Sequence, residues 1–279
     1  MKKVIVAIDA VSYSEHAVQY AVEIARQAGG MTLGVFLHDL SFITAEIPGT
    51  FDLIPAEYTH IIQKQKEDEA HIQVNMKRFN EQCNAAGVKH KLHVYNGTDL
   101  VRFLLDESVF ADVLVLDQQM SFTYGRAHQL SGFVVDVLED THCPVVVVPP
   151  KVVAADHVFL CYDGSPSSVY AMKMYSYLFP EWSSKATTLV AFNEEATNHL
   201  KESENIKDLL HQHFTSLTID VKHHDRIGDA LLSYFKMQED NGFIVMGAYG
   251  RTAFSRWLKK SMANTIINEV KMPVLITHE

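Results

Sequence analysis

The chain says the same thing twice. VIVAID at Val4–Asp9 is answered by VFLCYD at Val158–Asp163, and Ser14 and Ala17 match Ser168 and Ala171 at the same offset from the aspartate. ADVLVLD (Ala111–Asp117) is answered by NGFIVMG (Asn241–Gly247), and CPVVVVP (Cys143–Pro149) by MPVLITH (Met272–His278). The blocks keep their order, each with its flanking Asp, Gly or Pro. A duplicated unit must bury its apolar faces in the same way in both copies, so this repeat constrains the fold before any other feature does. The length of 279 residues suits two units of ordinary size. We place the first at 1–150 and the second at 156–279, joined through Lys151–Asp156 after Pro149-Pro150.

Each half alternates strands with helices. Val4–Ile8 is a continuous apolar run, as expected of a parallel strand covered on both faces. In the stretch that follows, Ala17, Tyr20, Ala21 and Ile24 recur at helical spacing, Ser12 with Glu15 reads as a capping box, and Gly29-Gly30 ends the helix. The corresponding helix of the second half starts with Ser165 as N-cap and Pro166 in the first turn. The middles differ most: a long polar helix is expected over about Glu57–Ala86, and a shorter one over about Asn198–Phe214. Five β–α steps per half predict tandem α/β units, two open parallel five-stranded sheets in 3-2-1-4-5 order with helices on both faces. Ligands of such sheets bind beyond the carboxyl ends of the strands, where strand order reverses. Asp9 and Asp163 end strand one, and Asp117 and Gly247 end strand four, so these ends flank the switch points.

Composition narrows the function. The formal charge is −10, which argues against general nucleic-acid or anionic-membrane binding, and any anion site must be local. No apolar run approaches the ~20 residues that span a bilayer. Asp9 interrupts the first apolar run too early for a signal peptide. Three cysteines without a CxxC pair read as free thiols of a cytoplasmic protein.

VFLCYDGSPSS, FIVMGAYGRT and MPVLIT make the second half similar to the universal stress protein family, and the likeness, in tandem form, covers nearly the whole chain. Nucleotide-binding members of that family carry Gly-x2-Gly-x9-Gly-Ser/Thr after strand four. Gly247, Gly250 and Ser261 fall on this pattern, while Lys260 stands at the third glycine. The first half departs further: Asp117 and Met120 occupy the first two glycine positions, and the glycine pair is lost whether Leu130-Ser131 or Ser131-Gly132 is aligned with it. The resemblance thus implies an adenine nucleotide, ATP or AMP, in the second half only. It gives Asp163 a contact with the adenosine part. It also implies pairing of the halves through their last strands as an internal pseudo-dimer, and a homodimer of chains.

Physically, glycines let backbone amides approach a phosphate, and the helix beginning near Ser261 offers unpaired N–H groups and its dipole. Arg251, Arg256, Lys259 and Lys260 add positive charge to this loop, whereas the first-half stretch has only Arg126 and His128. Lys260 either strains or fills the third-glycine position, or serves the phosphate as a point charge. Against a site, Phe254, Trp257 and Leu258 have the spacing of packing residues, and Asp163 can be a turn-shaping aspartate. Asn193, near the end of strand two, is a further candidate for the base pocket.

Fifteen histidines raise the question of metal, but His211/His213, His223/His224 and His90/His93 have spacings that point to different faces, and no zinc-like Cys/His pattern occurs. No metal is expected. No nucleophile elbow, Walker loop or dinucleotide fingerprint is present, so no catalytic residue is assigned and the chain is not read as an enzyme. Three classes stay open. One is a cytoplasmic stress-response module sensing a nucleotide through Asp163, Gly247, Gly250, Arg251, Lys260 and Ser261; one is a degenerate tandem protein acting through protein contacts, its partner unspecified; one is a weak adenine-nucleotide hydrolase.

Overall fold

A computed structural model describes residues 2–41, 55–122, 130–151, 154–193, 200, 203–238, 241–247 and 260–277, the side chains of 55–58 and 260–261 excepted. The first half runs β1 (Lys3–Asp9), α1 (Glu15–Gln27), β2 (Met31–Asp39), α2 (Pro55–Ala85), β3 (Lys89–Gly97), α3 (Leu100–Ser108), β4 (Val113–Asp117), α4 (Gly132–Asp140) and β5 (Val145–Val148). The second runs β6 (His157–Tyr162), α5 (Pro166–Leu178), a 3-10 turn (Pro180–Trp182), β7 (Ala186–Asn193), α6 (Ser203–His213), β8 (Leu217–His223), α7 (Ile227–Lys236), β9 (Gly242–Gly247), α8 (Lys260–Glu269) and β10 (Val274–Thr277).

Each half has the expected 3-2-1-4-5 order, but the two sheets are one. The strand order is β3-β2-β1-β4-β5-β10-β9-β6-β7-β8 in a single ten-stranded sheet. Only the join is antiparallel: Val274, Leu275 and Ile276 pair with Val147, Val146 and Val145. The pairing of the halves through their last strands, expected above, makes the two sheets continuous, and elementary chemistry gives the reason. Both β5 and β10 are apolar edge strands with unpaired amides and carbonyls, and pairing them satisfies both edges at once.

Side chains alternate between two cores. Val4, Val6 and Ile8 face α1 and α2, while Ile5 and Ala7 face α3 and α4. The second half repeats this, with Val158, Leu160 and Tyr162 on one face and Phe159 and Cys161 on the other. Each core runs across the join. On one face Trp182 donates its indole N–H to Gln27, and the Lys2 ammonium lies 5.6 Å from the Phe179 ring centre. Around them Tyr175, Phe179, Trp182 and Phe243 form an aromatic cluster.

The long helix α2 lies against β2 and β3 through Ile72, Phe79 and Cys83, all buried. Asn75 donates to the carbonyls of Ala10 (2.9 Å) and Val11 (3.1 Å), tying α2 to the loop after β1. Gly34 on β2 admits Phe79: a Cβ there would lie 2.9 Å from the ring. Phe79 also meets Phe36 edge-on at 5.8 Å. Replacing it by alanine leaves a cavity that α2, anchored at Asn75, cannot collapse. We expect Phe79→Ala to lower unfolding free energy by about 3–5 kcal/mol, as read from urea melts followed by circular dichroism.

Candidate functional site

The two switch points lie at the ends of β1/β4 and β6/β9, and their chemistry differs. In the second half Tyr162 leads into Asp163, whose carboxylate accepts the Ser165 amide at 2.9 Å. Gly164 between them has φ +78°, a left-handed conformation that glycine adopts without strain. Ser165 then caps α5, its hydroxyl accepting the Ser168 amide at 3.2 Å, with Pro166 in the first turn as the sequence predicts. Asp163 is therefore buried (5% exposed) and built into the turn that starts the helix.

Gly247 closes β9 directly against that helix start. A Cβ on Gly247 would fall well inside contact distance of the Ser167 carbonyl oxygen and hydroxyl. The Ser167 hydroxyl itself is buried and has no hydrogen-bond partner among the described residues. Lys260 is the first residue of α8, with Ser261 next. A helical position has negative φ, so Lys260 imposes none of the left-handed strain considered above. Gly250 and Arg251 lie outside the described residues, as do Arg256, Lys259 and the Phe254–Leu258 packing stretch. A cavity of about 370 Å³ opens beside the Asp163 turn, between α5 and α6; Gly164, Ser165, Tyr170, Lys173 and Asn205 are among its lining. Asn193, at the end of β7, accepts the His224 amide through its carbonyl at 3.0 Å.

The first half fills the equivalent space with charge. Asp117 occupies the position of Gly247, is 8% exposed, accepts the Gln119 amide at 2.7 Å, and lies 3.3 Å from His16 Nε2 on α1. Burial alone would raise its pKa, but hydrogen bonds from His16, Ser14 and the Gln119 amide outweigh this and lower it. Asp9 accepts the amides of Val11 (2.9 Å) and Ser12 (3.1 Å). Its pKa is raised, because burial outweighs those bonds. These contacts also correct the capping box expected of Ser12 and Glu15. The Ser12 amide turns back to Asp9, α1 begins at Glu15 with Ser14 as N-cap, and the Ser14 hydroxyl sits within 3.3 Å of His16. Ser131 caps α4, accepting the Val134 amide at 3.2 Å.

Sequence reasoning missed His16, His38 and Asp68. His38, at the end of β2, contacts Asn96 Oδ1 at 3.0 Å and Asp68 Oδ2 at 3.4 Å, deep in the fold. The sequence signal for Asp68 was there: it falls on the inward stripe of α2 with Ile72, Asn75 and Phe79, where a lone carboxylate demands a partner. Among the described residues no group of three His, Cys, Asp or Glu is placed to hold a metal ion. Among them no helix is long and apolar enough to cross a membrane.

No protein-family model matches the chain. A universal stress protein of Mycolicibacterium smegmatis is 25% identical over 303 aligned positions, covering 98% of this chain and 96% of the relative. The crystal structure of a universal stress protein from Archaeoglobus fulgidus superposes with a TM-score of 0.71 at 14% identity, covering 99% of this chain and 98% of that one. The fold is that of a tandem universal stress protein. A protein of unknown function from Pseudomonas aeruginosa shares it with a TM-score of 0.54 at 12% identity, over 100% of this chain and 92% of that one. The likeness to universal stress proteins runs from one end of the chain to the other.

Two outcomes follow. Gly247→Ala must push β9 off α5 because the clash is with backbone, and should destabilise the protein by about 1–3 kcal/mol, read from urea melts. Ser167→Ala in the same background should not restore it. Asp117 carries a lowered folded pKa, so the stability it contributes is present above its ordinary value of 3.8 and lost as pH falls through the lower folded value. Asp117→Asn should therefore be less stable than the parent at neutral pH, and the difference should shrink below pH 3.8.

Proposed function

We propose that this universal-stress-type chain is a regulatory module with two domains, 1–150 and 156–279, of which the second binds an adenine nucleotide, ATP or AMP. The observation that carries this is the contrast at the switch points: Gly247 stands in the second half where the Asp117 carboxylate stands in the first. A carboxylate there would repel phosphate; a glycine leaves amides and the α8 start to meet it. The Ser167 hydroxyl beside Gly247, which has no partner among the described residues, supplies a donor for an acceptor. Lys260 and Ser261 open α8, and in sequence Gly250 and Arg251 complete the loop. Asp163 holds the turn under the adenosine part. The neighbouring cavity of about 370 Å³ is within the size range of small-ligand sites.

On this reading the protein senses and does not turn over its ligand; it needs no metal, nucleic acid or membrane. Three buried free cysteines suit a reducing cytoplasm. A homodimer of chains would have to use a surface other than β5 and β10, which already pair with each other.

The test is calorimetric titration of the purified, nucleotide-stripped protein with ATP and AMP, beside mass spectrometry of small molecules released on denaturation. Saturable binding is expected, weakened about tenfold or more by Lys260→Glu, which reverses a charge at the phosphate end. Asp9→Asn should leave it unchanged. No binding at millimolar nucleotide, with nothing released on denaturation, would favour the degenerate scaffold.

A further inference from the structure

The first half contains a second cavity lined by no residue of β1 or β4, although His38 at its inner end lies near enough to Asp9 for their charges to interact. It measures about 500 Å³ and opens between α2 and the ends of β2 and β3. Its floor is apolar: Leu40, Ile72, Met76 and Val94 line it. Its rim comes from one stripe of α2, where Gln65, Glu69 and Gln73 follow at four-residue spacing and face the same side. His38 and Asn96 close the inner end.

The charge of this cavity has one sign. His38 is 8% exposed and held between Asn96 and Asp68, itself 9% exposed, so both of its ring nitrogens are engaged by internal partners. Glu69 forms no ion pair with any described residue. Among the described lining residues there is no Lys or Arg. The side-chain carbonyl oxygens of Gln65 and Gln73 add acceptors. An anion entering here would meet a carboxylate and no counter-charge. A cation would meet a carboxylate, amide oxygens and an apolar floor that includes a methionine.

We propose that this cavity binds a small organic cation, an ammonium group carried on a short apolar body. Glu69 faces the ammonium, and Ile72, Met76 and Val94 cover the body. The site is independent of nucleotide binding by the second half.

Three matched probes test it by ligand-observed NMR and calorimetry on the full chain: phenethylammonium, 2-phenylethanol and phenylacetate, which share a body and differ in charge. Phenethylammonium should bind saturably and about fivefold or more tighter than the alcohol, with phenylacetate weakest. Glu69→Gln, at an exposed position that folding does not need, should reduce phenethylammonium binding about fivefold and leave the alcohol unchanged. Met76→Trp should fill the cavity and reduce both. Phenylacetate binding as tightly as the cation would overturn the proposal. So would a phenethylammonium affinity that Glu69→Gln leaves untouched. If Met76→Trp fails to fold by circular dichroism, the Glu69→Gln comparison decides alone.

Discussion

The architecture depends on three residue pairs. Val274, Leu275 and Ile276 meet Val147, Val146 and Val145 in antiparallel register, and this short ladder turns two five-stranded units into one sheet. Its hydrogen bonds matter less for their summed energy than for what they prevent. Left unpaired, each half would end on an apolar edge whose amides and carbonyls could recruit another chain. With the ladder formed, both hydrophobic cores run uninterrupted from one half into the other. The free edges are then β3 and β8, where lysines and histidines such as Lys89, Lys91, Lys222 and His223 discourage further strand addition.

Within that frame the copies have diverged at the point where the fold places ligands. After both β1 and β6 an aspartate accepts the amide two residues on, although the connection to the next helix is longer in the first half. What differs is the end of the fourth strand. Gly247 lets β9 abut the backbone of α5. Asp117 instead reaches across to His16, and the gap is filled by a carboxylate–imidazole contact. An aspartate in place of glycine puts a carboxylate at the switch point of the first half. The first half also grew a helix of 31 residues where the second has one of 11, and the polar pair His38–Asp68 is buried beneath it.

Much of the fold was legible in the sequence because its signals are local. Strands covered on both faces read as unbroken apolar runs, and Ser165-Pro166 marks a helix start by its own chemistry. The long helix appears at Pro55–Ala85, within two residues of its expected bounds. The Ser12/Glu15 pattern misled because Asp9, three residues earlier, competes for the same amide, and spacing alone does not rank two acceptors. The join of the halves through their last strands was expected from the resemblance, but its antiparallel register of Val274–Ile276 on Val147–Val145 joins backbones, which carry no sequence label. His38 and Asp68 are 30 residues apart and meet only through tertiary packing, so neither declared its partner. At the candidate site, Asp163, Gly247, Lys260 and Ser261 sit at the strand ends and helix start where the pattern put them, while Gly250 and Arg251 fall outside the described residues.

The antiparallel join has a geometric corollary. Within each half the strands run parallel, so reversing direction at β5 and β10 sends the carboxyl termini of β1 and β6 to opposite rims of the sheet. The molecule is two-headed: a small molecule captured by one copy and another captured by its sibling would look out in contrary directions, with the full height of the shared core separating them. Any conversation between the two mouths must pass through the middle of the molecule, along the β5–β10 ladder and the two cores that flank it.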